Sequence, residues 1–80
     1  MKDTLHFIVS SIVEKTDAVA IDEIEENGVI NLVIHVDPTE IGKVIGKEGK
    51  VIRSIRNLMK VKAMKHDVRI MVSLAEIPQE

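Results

Sequence analysis

Cysteine is absent from the 80 residues, so a disulfide framework, a thiolate nucleophile and Cys-based zinc or iron–sulfur sites are all excluded. Aromatics are nearly absent too. Phe7 is the only one, which excludes binding surfaces that stack bases on rows of Tyr, Trp or Phe. No stretch approaches the roughly 20 apolar residues needed to span a bilayer. Leu5 to Val13 followed by Ala18-Val19-Ala20 has a superficial likeness to a secretory leader. However, Asp3 beside Lys2, and His6, Ser10, Ser11 and Glu14 within the segment, argue for a structural helix and a cytoplasmic chain. A chain this short has room for one hydrophobic core and one domain.

What is present is an aliphatic core and a segregated charge. Apolar residues make up 45% and charged residues 30%, with a net charge of −2. Between Lys43 and Lys65, eight basic residues (Lys43, Lys47, Lys50, Arg53, Arg56, Lys60, Lys62 and Lys65) face Glu48 alone, a local excess of seven. Elsewhere three basic residues face twelve acidic ones. Such a chain can offer a positive surface to a phosphate backbone while its acidic remainder limits indiscriminate binding.

The apolar spacing sets out the elements. Leu5, Ile8, Val9, Ile12 and Val13 recur at helical intervals and predict an amphipathic helix over residues 3–15, opened by Asp3 or Thr4. Val- and Ile-rich segments at 18–25 and 29–36, separated by Glu26-Asn27-Gly28, predict an antiparallel hairpin. Ile30, Leu32, Ile34 and Val36 form its core face. Asp37-Pro38-Thr39-Glu40 reads as a helix start, with Asp37 as cap, Pro38 at the first position and Glu40 three residues after the cap. That short helix runs to about Ile45. A second begins at Lys50 and places Val51, Ile52, Ile55, Leu58 and Met59 on one stripe, with Lys50, Arg53, Arg56 and Lys60 opposite. Val68, Ile70, Val72 and Leu74 alternate with Arg69, Met71 and Ser73 in a closing strand, which arrives after a two-helix crossover and is expected parallel to its neighbour. The expected fold is α+β, in the order helix, strand, strand, helix, helix, strand. It is a three-stranded mixed sheet with helices on one face, spanning residues 1–76, with a polar tail at 77–80.

The densest motif is Val44-Ile45-Gly46-Lys47-Glu48-Gly49-Lys50-Val51-Ile52. Two glycines three apart let the backbone turn sharply and expose its amides, at the point where a helix begins with its positive dipole end. An ordinary helix C-cap would explain Gly46 but does not require Gly49. The motif resembles the GXXG loop of K-homology (KH) domains, which clamps about four nucleotides of a single strand. The element order resembles the type II, bacterial form, and the short chain with Glu40-Ile41-Gly42-Lys43 leading into Val-Ile-Gly-Lys is similar to the small bacterial RNA-binding family called KhpA.

The resemblance implies that Gly46, Lys47, Glu48 and Gly49 line the backbone side of a cleft. Ile41, Val44, Ile45, Ile52 and Ile55 would supply its apolar floor, and Lys43, Lys47, Lys50 and Arg53 phosphate attraction. The far wall would come from Val68 to Met71 and the loop Met64 to Asp67. Glu48 departs from a basic or neutral ideal and would weaken phosphate binding. The resemblance further implies single-stranded RNA as ligand, a role in post-transcriptional regulation or RNA chaperoning in a cell envelope and division context, and a homodimer or a heterodimer with a second KH-containing protein. Arg56, Lys60, Lys62 and Lys65 read as solvated surface.

No cofactor is implied. His6, His35 and His66 lie on three elements without paired carboxylates, so no metal site is expected. Glu48 stands where a Walker A loop needs Ser or Thr, and no nucleophile–base pair is evident, so catalysis is not expected. A protein–protein adaptor using the same apolar groove is the competing reading; it would bind almost independently of salt, whereas phosphate contacts would not.

Overall fold

The structure, a computed structural model, describes residues 1–75; Pro78 and the polar tail at 77–80 lie outside the described residues. The elements are α1 (Lys2–Ser10), β1 (Ala20–Glu26), β2 (Val29–His35), α2 (Ile41–Ile45), α3 (Lys50–Lys65) and β3 (Arg69–Leu74). Short 3₁₀ turns occupy Thr16–Ala18, Pro38–Glu40 and Lys47–Gly49. The sheet runs β1-β2-β3, with β1 antiparallel and β3 parallel to β2, in the expected α+β order.

The hairpin turn is the two-residue kind that requires positive φ at both positions, and Asn27 (φ 53°) and Gly28 (φ 80°) supply it. Register then follows: Ile21 lies opposite Ile34, and Leu32 pairs with Val72 across the parallel ladder. These four residues are buried, and Leu5, Val9, Val44, Ile52, Ile55 and Met59 from the helices close over them. The opposite sheet face leaves Ile24 and Met71 exposed.

The helix expected over 3–15 stops at Ser10. Ser11 turns its hydroxyl back to the Phe7 carbonyl (2.8 Å), and the amides of Glu14 and Lys15 leave the helical ladder to donate to the carboxylate of Glu40 at 2.7 and 2.9 Å. Glu40 therefore does not close a capping box at its own helix start. It is 3% exposed and anchors the α1–β1 connection to the start of α2. Asp37 does cap, accepting from the Thr39 amide at 2.9 Å and the Thr39 hydroxyl at 2.6 Å. Thr16–Ala18 form a 3₁₀ turn, so β1 starts at Ala20, later than expected.

The stripe of α3 also needs one correction. Ile52, Ile55, Met59 and Ala63 are its buried residues, whereas Leu58 is 58% exposed. Leu58 stands about 100° round the helix from Met59, beyond the sector that the sheet and α1 cover. No helix among the described residues is long and apolar enough to cross a membrane.

Candidate nucleic-acid interface

Glu40 fixes where α2 begins, and α2 is only five residues long, so the loop that follows is held close to this anchor. The Gly46 amide completes α2 by donating to the Gly42 carbonyl at 2.8 Å. Gly46 then adopts φ 76°, ψ 174°, a region essentially confined to glycine. A Cβ there would lie 2.9 Å from the Val51 amide nitrogen and 2.7 Å from the Val51 Cβ. Gly49, at φ 75°, ψ 15°, is left-handed and leads straight into α3. Between them Glu48 is also left-handed, at φ 58°.

The loop folds inward on itself through the Gly49 amide to the Gly46 carbonyl at 3.1 Å and the Lys50 amide to the Lys47 carbonyl. The loop stands at the N-terminal, positive end of a 16-residue helix. Arg53 donates its Nη2 to the Glu48 carbonyl at 2.7 Å and braces the loop from the first turn of α3.

From this loop a groove runs between α3 and β3, a cavity of about 490 Å³ with Arg53, Arg56, Asn57 and Lys60 on the helix side and Ile70, Met71, Val72 and Ser73 on the strand side. β3 is an edge strand. Because the Ala75 amide donates to the Ile34 carbonyl, odd-numbered positions of β3 face β2, and Ile70, Val72 and Leu74 turn their backbone groups outward. Arg56 already reaches this edge, donating Nε to the Val72 carbonyl at 3.1 Å. The groove thus joins a helix N-terminus, cations, an apolar wall and a row of backbone donors and acceptors.

The residues singled out from sequence divide into three groups. Gly46, Lys47, Glu48, Gly49, Lys50 and Arg53 come together in the loop and the first turn of α3. Val44, Ile52 and Ile55 are buried beneath it, and Ile41 and Ile45 are half-buried beside it. Lys43 faces away: its Nζ lies 3.3 Å from Glu40 and 3.8 Å from Glu14, so its charge is already partly compensated. Arg56 and Lys60, expected as solvated surface, line the groove together with Asn57 and Ser73. The signal for the helix residues was present in the spacing, since 53, 56, 57 and 60 form one row along α3. The strand opposite them is a matter of tertiary placement.

The model of the KhpA/KhpB KH domain matches residues 2–74. The chain is similar to "RNA-binding protein KhpA" of Clostridium acetobutylicum, 36% identical over 74 residues covering 92% of this chain and 99% of the relative. The Clostridium perfringens protein of that name is 34% identical over the same extent. That of Aquifex aeolicus is 32% identical over 76 residues, covering 95% of this chain and 96% of the relative. With the two-glycine loop between two helices and a parallel third strand already in place, this full-length likeness is decisive: the chain belongs to the KhpA/KhpB family of KH domains.

Proposed function

We propose that the protein is a single-stranded RNA-binding module that holds about four nucleotides between the Gly46–Gly49 loop and the edge of β3. The observation that carries this reading is the loop itself: two glycines in positive-φ conformations turn the backbone sharply at the positive, N-terminal end of α3, directly beside a cation-lined groove. The RNA backbone lies against the loop, with Lys47, Lys50 and Arg53 attracting its phosphates. Bases enter the groove, meeting Ile70 and Met71 and the outward backbone groups of β3. Without aromatic platforms, affinity per domain is modest and sequence preference loose.

Self-association deepens this reading. Leu58 and Val61 are exposed on α3 and, with Ile8 of α1, border a second apolar hollow away from the groove. Pairing through that face, with a second copy or with another KH-containing protein, would join two clefts and raise affinity through effective concentration. Family membership supports a post-transcriptional or RNA-chaperone role in the cytoplasm, in a cell envelope and division context.

The test is titration into a fluorescent single-stranded RNA pool at low and moderate salt, with the mass in solution recorded alongside. Salt-sensitive binding that disappears in a folded Gly46→Asp, Gly49→Asp double variant supports the cleft. Undiminished binding by that variant refutes it.

A further inference from the structure

Glu40 is the only buried polar or charged residue among the described residues, and none of the proposed RNA contacts uses it. Its carboxylate joins two parts of the chain that are distant in sequence. One oxygen accepts from the Glu14 amide at 2.7 Å and from the Lys43 ammonium at 3.3 Å, and the other accepts from the Lys15 amide at 2.9 Å. A carboxylate withdrawn from water is stable only where such donors hold it, so Glu40 is fixed in place by the α1–β1 connection.

What Glu40 holds in turn is α2. Five residues make little more than one helical turn, far below the length at which a helix persists by itself in water. Tertiary tethers must therefore keep α2 where it is. Glu40 pins its start, the fully buried Val44 pins its middle, and Gly46 follows directly at its end. Gly46 lies only about 9 Å along the helix from Glu40, so little chain can absorb a shift at the start of α2 before it reaches the loop.

We infer that Glu40 is a positioning residue for RNA binding: its carboxylate ties the α1–β1 connection to α2 and thereby holds the Gly46–Gly49 loop in the conformation that grips the strand. This rests on the proposed RNA-binding function and adds to it a residue that touches no RNA. Charge alone points the opposite way. Neutralising Glu40 removes a negative charge and releases Lys43 from its ion pair, and both changes favour a polyanion. Positioning instead requires that affinity fall.

The experiment compares wild type, Glu40→Gln and Glu40→Asp, each well below its thermal midpoint, in binding the fluorescent single-stranded RNA pool. Gln lacks the charge and turns a donor toward one of the two amides; Asp keeps the charge but is one methylene shorter. Both variants should bind about tenfold more weakly, a usual strength of coupling between linked sites. Glu40→Asp should do so with the wild-type slope of log K against log salt, because it removes no phosphate contact. In both, the Gly46 and Gly49 amides should exchange with solvent faster, while Leu32 and Val33 in the central strand change only as far as lower global stability requires. Coupling is reciprocal, so the wild type supplies a test that needs no variant. Saturating RNA should slow exchange of the Glu14 and Lys15 amides by the same factor of about ten, although neither residue lines the groove. If neither variant folds, that exchange alone decides. Unchanged or tighter RNA binding by the folded variants, or exchange at Glu14 and Lys15 indifferent to RNA, overturns the inference and leaves the cleft standing. If the Gly46→Asp, Gly49→Asp variant binds as tightly as wild type, it is the cleft itself that is wrong, and the inference falls with it.

Discussion

Gly46 and Gly49 look alike in sequence and differ in what they require. At Gly49 a Cβ would meet only the Arg53 guanidinium, at 3.7 Å, so a side chain there faces the left-handed φ alone. At Gly46 the backbone conformation and the Val51 backbone both exclude a Cβ. Gly49→Ala is expected to cost about 1–2 kcal/mol, the left-handed penalty. Gly46→Ala should cost about 2–5 kcal/mol, as strain and overpacking add. Chemical denaturation of the two variants measures the difference, and equal costs would contradict the loop geometry. Glu40 makes a second prediction at this scale. The Glu14 amide holds its carboxyl below the ordinary value, against the opposing effect of burial, and the Lys15 amide and Lys43 ammonium add to the lowering. The Thr39 hydroxyl and amide lower Asp37 similarly. A carboxyl lowered in the folded state contributes stability that is complete above its unfolded pKa and is lost as pH falls through the folded value. Stability should therefore decline on acidification through and below the ordinary carboxylate range, and Glu40→Gln should flatten that decline while lowering the midpoint at neutral pH. A thermal-unfolding series from pH 7 to about pH 3 checks both.

Among the elements, α3 shows how far periodicity carries. Lys50 as its start, Ile52, Ile55 and Met59 as its inner face and its basic opposite side were all readable from 100° steps. Leu58 was not, because the width of the covered stripe depends on where α1 lies, and α1 is shortened by a carboxylate 26 residues away in sequence. The contrast has a measurable form. Met59 is fully buried, and Met59→Ala should cost about 2–5 kcal/mol. Leu58→Ala should stay within about 0.5 kcal/mol in the monomer, since exposed positions rarely matter more. Similar losses for both would return Leu58 to the core. The closing strand was legible as an element and as a parallel neighbour of β2. Its outward carbonyl at Val72, and the Arg56 that reaches it, were not, because they arise from helix and strand meeting in space.

Across the whole molecule, the segregated charge visible in the sequence becomes two surfaces. The acids of β1, Asp22, Glu23, Glu25 and Glu26, occupy the edge strand at one side of the sheet, and the groove cations border the other edge strand, β3. The basic run does not act as one patch, however. Lys47, Lys50 and Arg53 gather at the loop and Arg56 and Lys60 along the groove, while Lys43 faces Glu14 and Glu40, and Lys62 and Lys65 border the hollow beside α1. If RNA follows the groove, only the first two sets meet phosphates. Three to four contacts on a single strand give a slope of log K against log salt of about −2 to −3. Lys47→Gln and Lys50→Gln should each reduce its magnitude by about 0.7, whereas Lys65→Gln should leave it unchanged. Equal effects from all three would mean that the basic helix attracts RNA as a diffuse charge, and that the groove between α3 and β3 does not set the path of the strand.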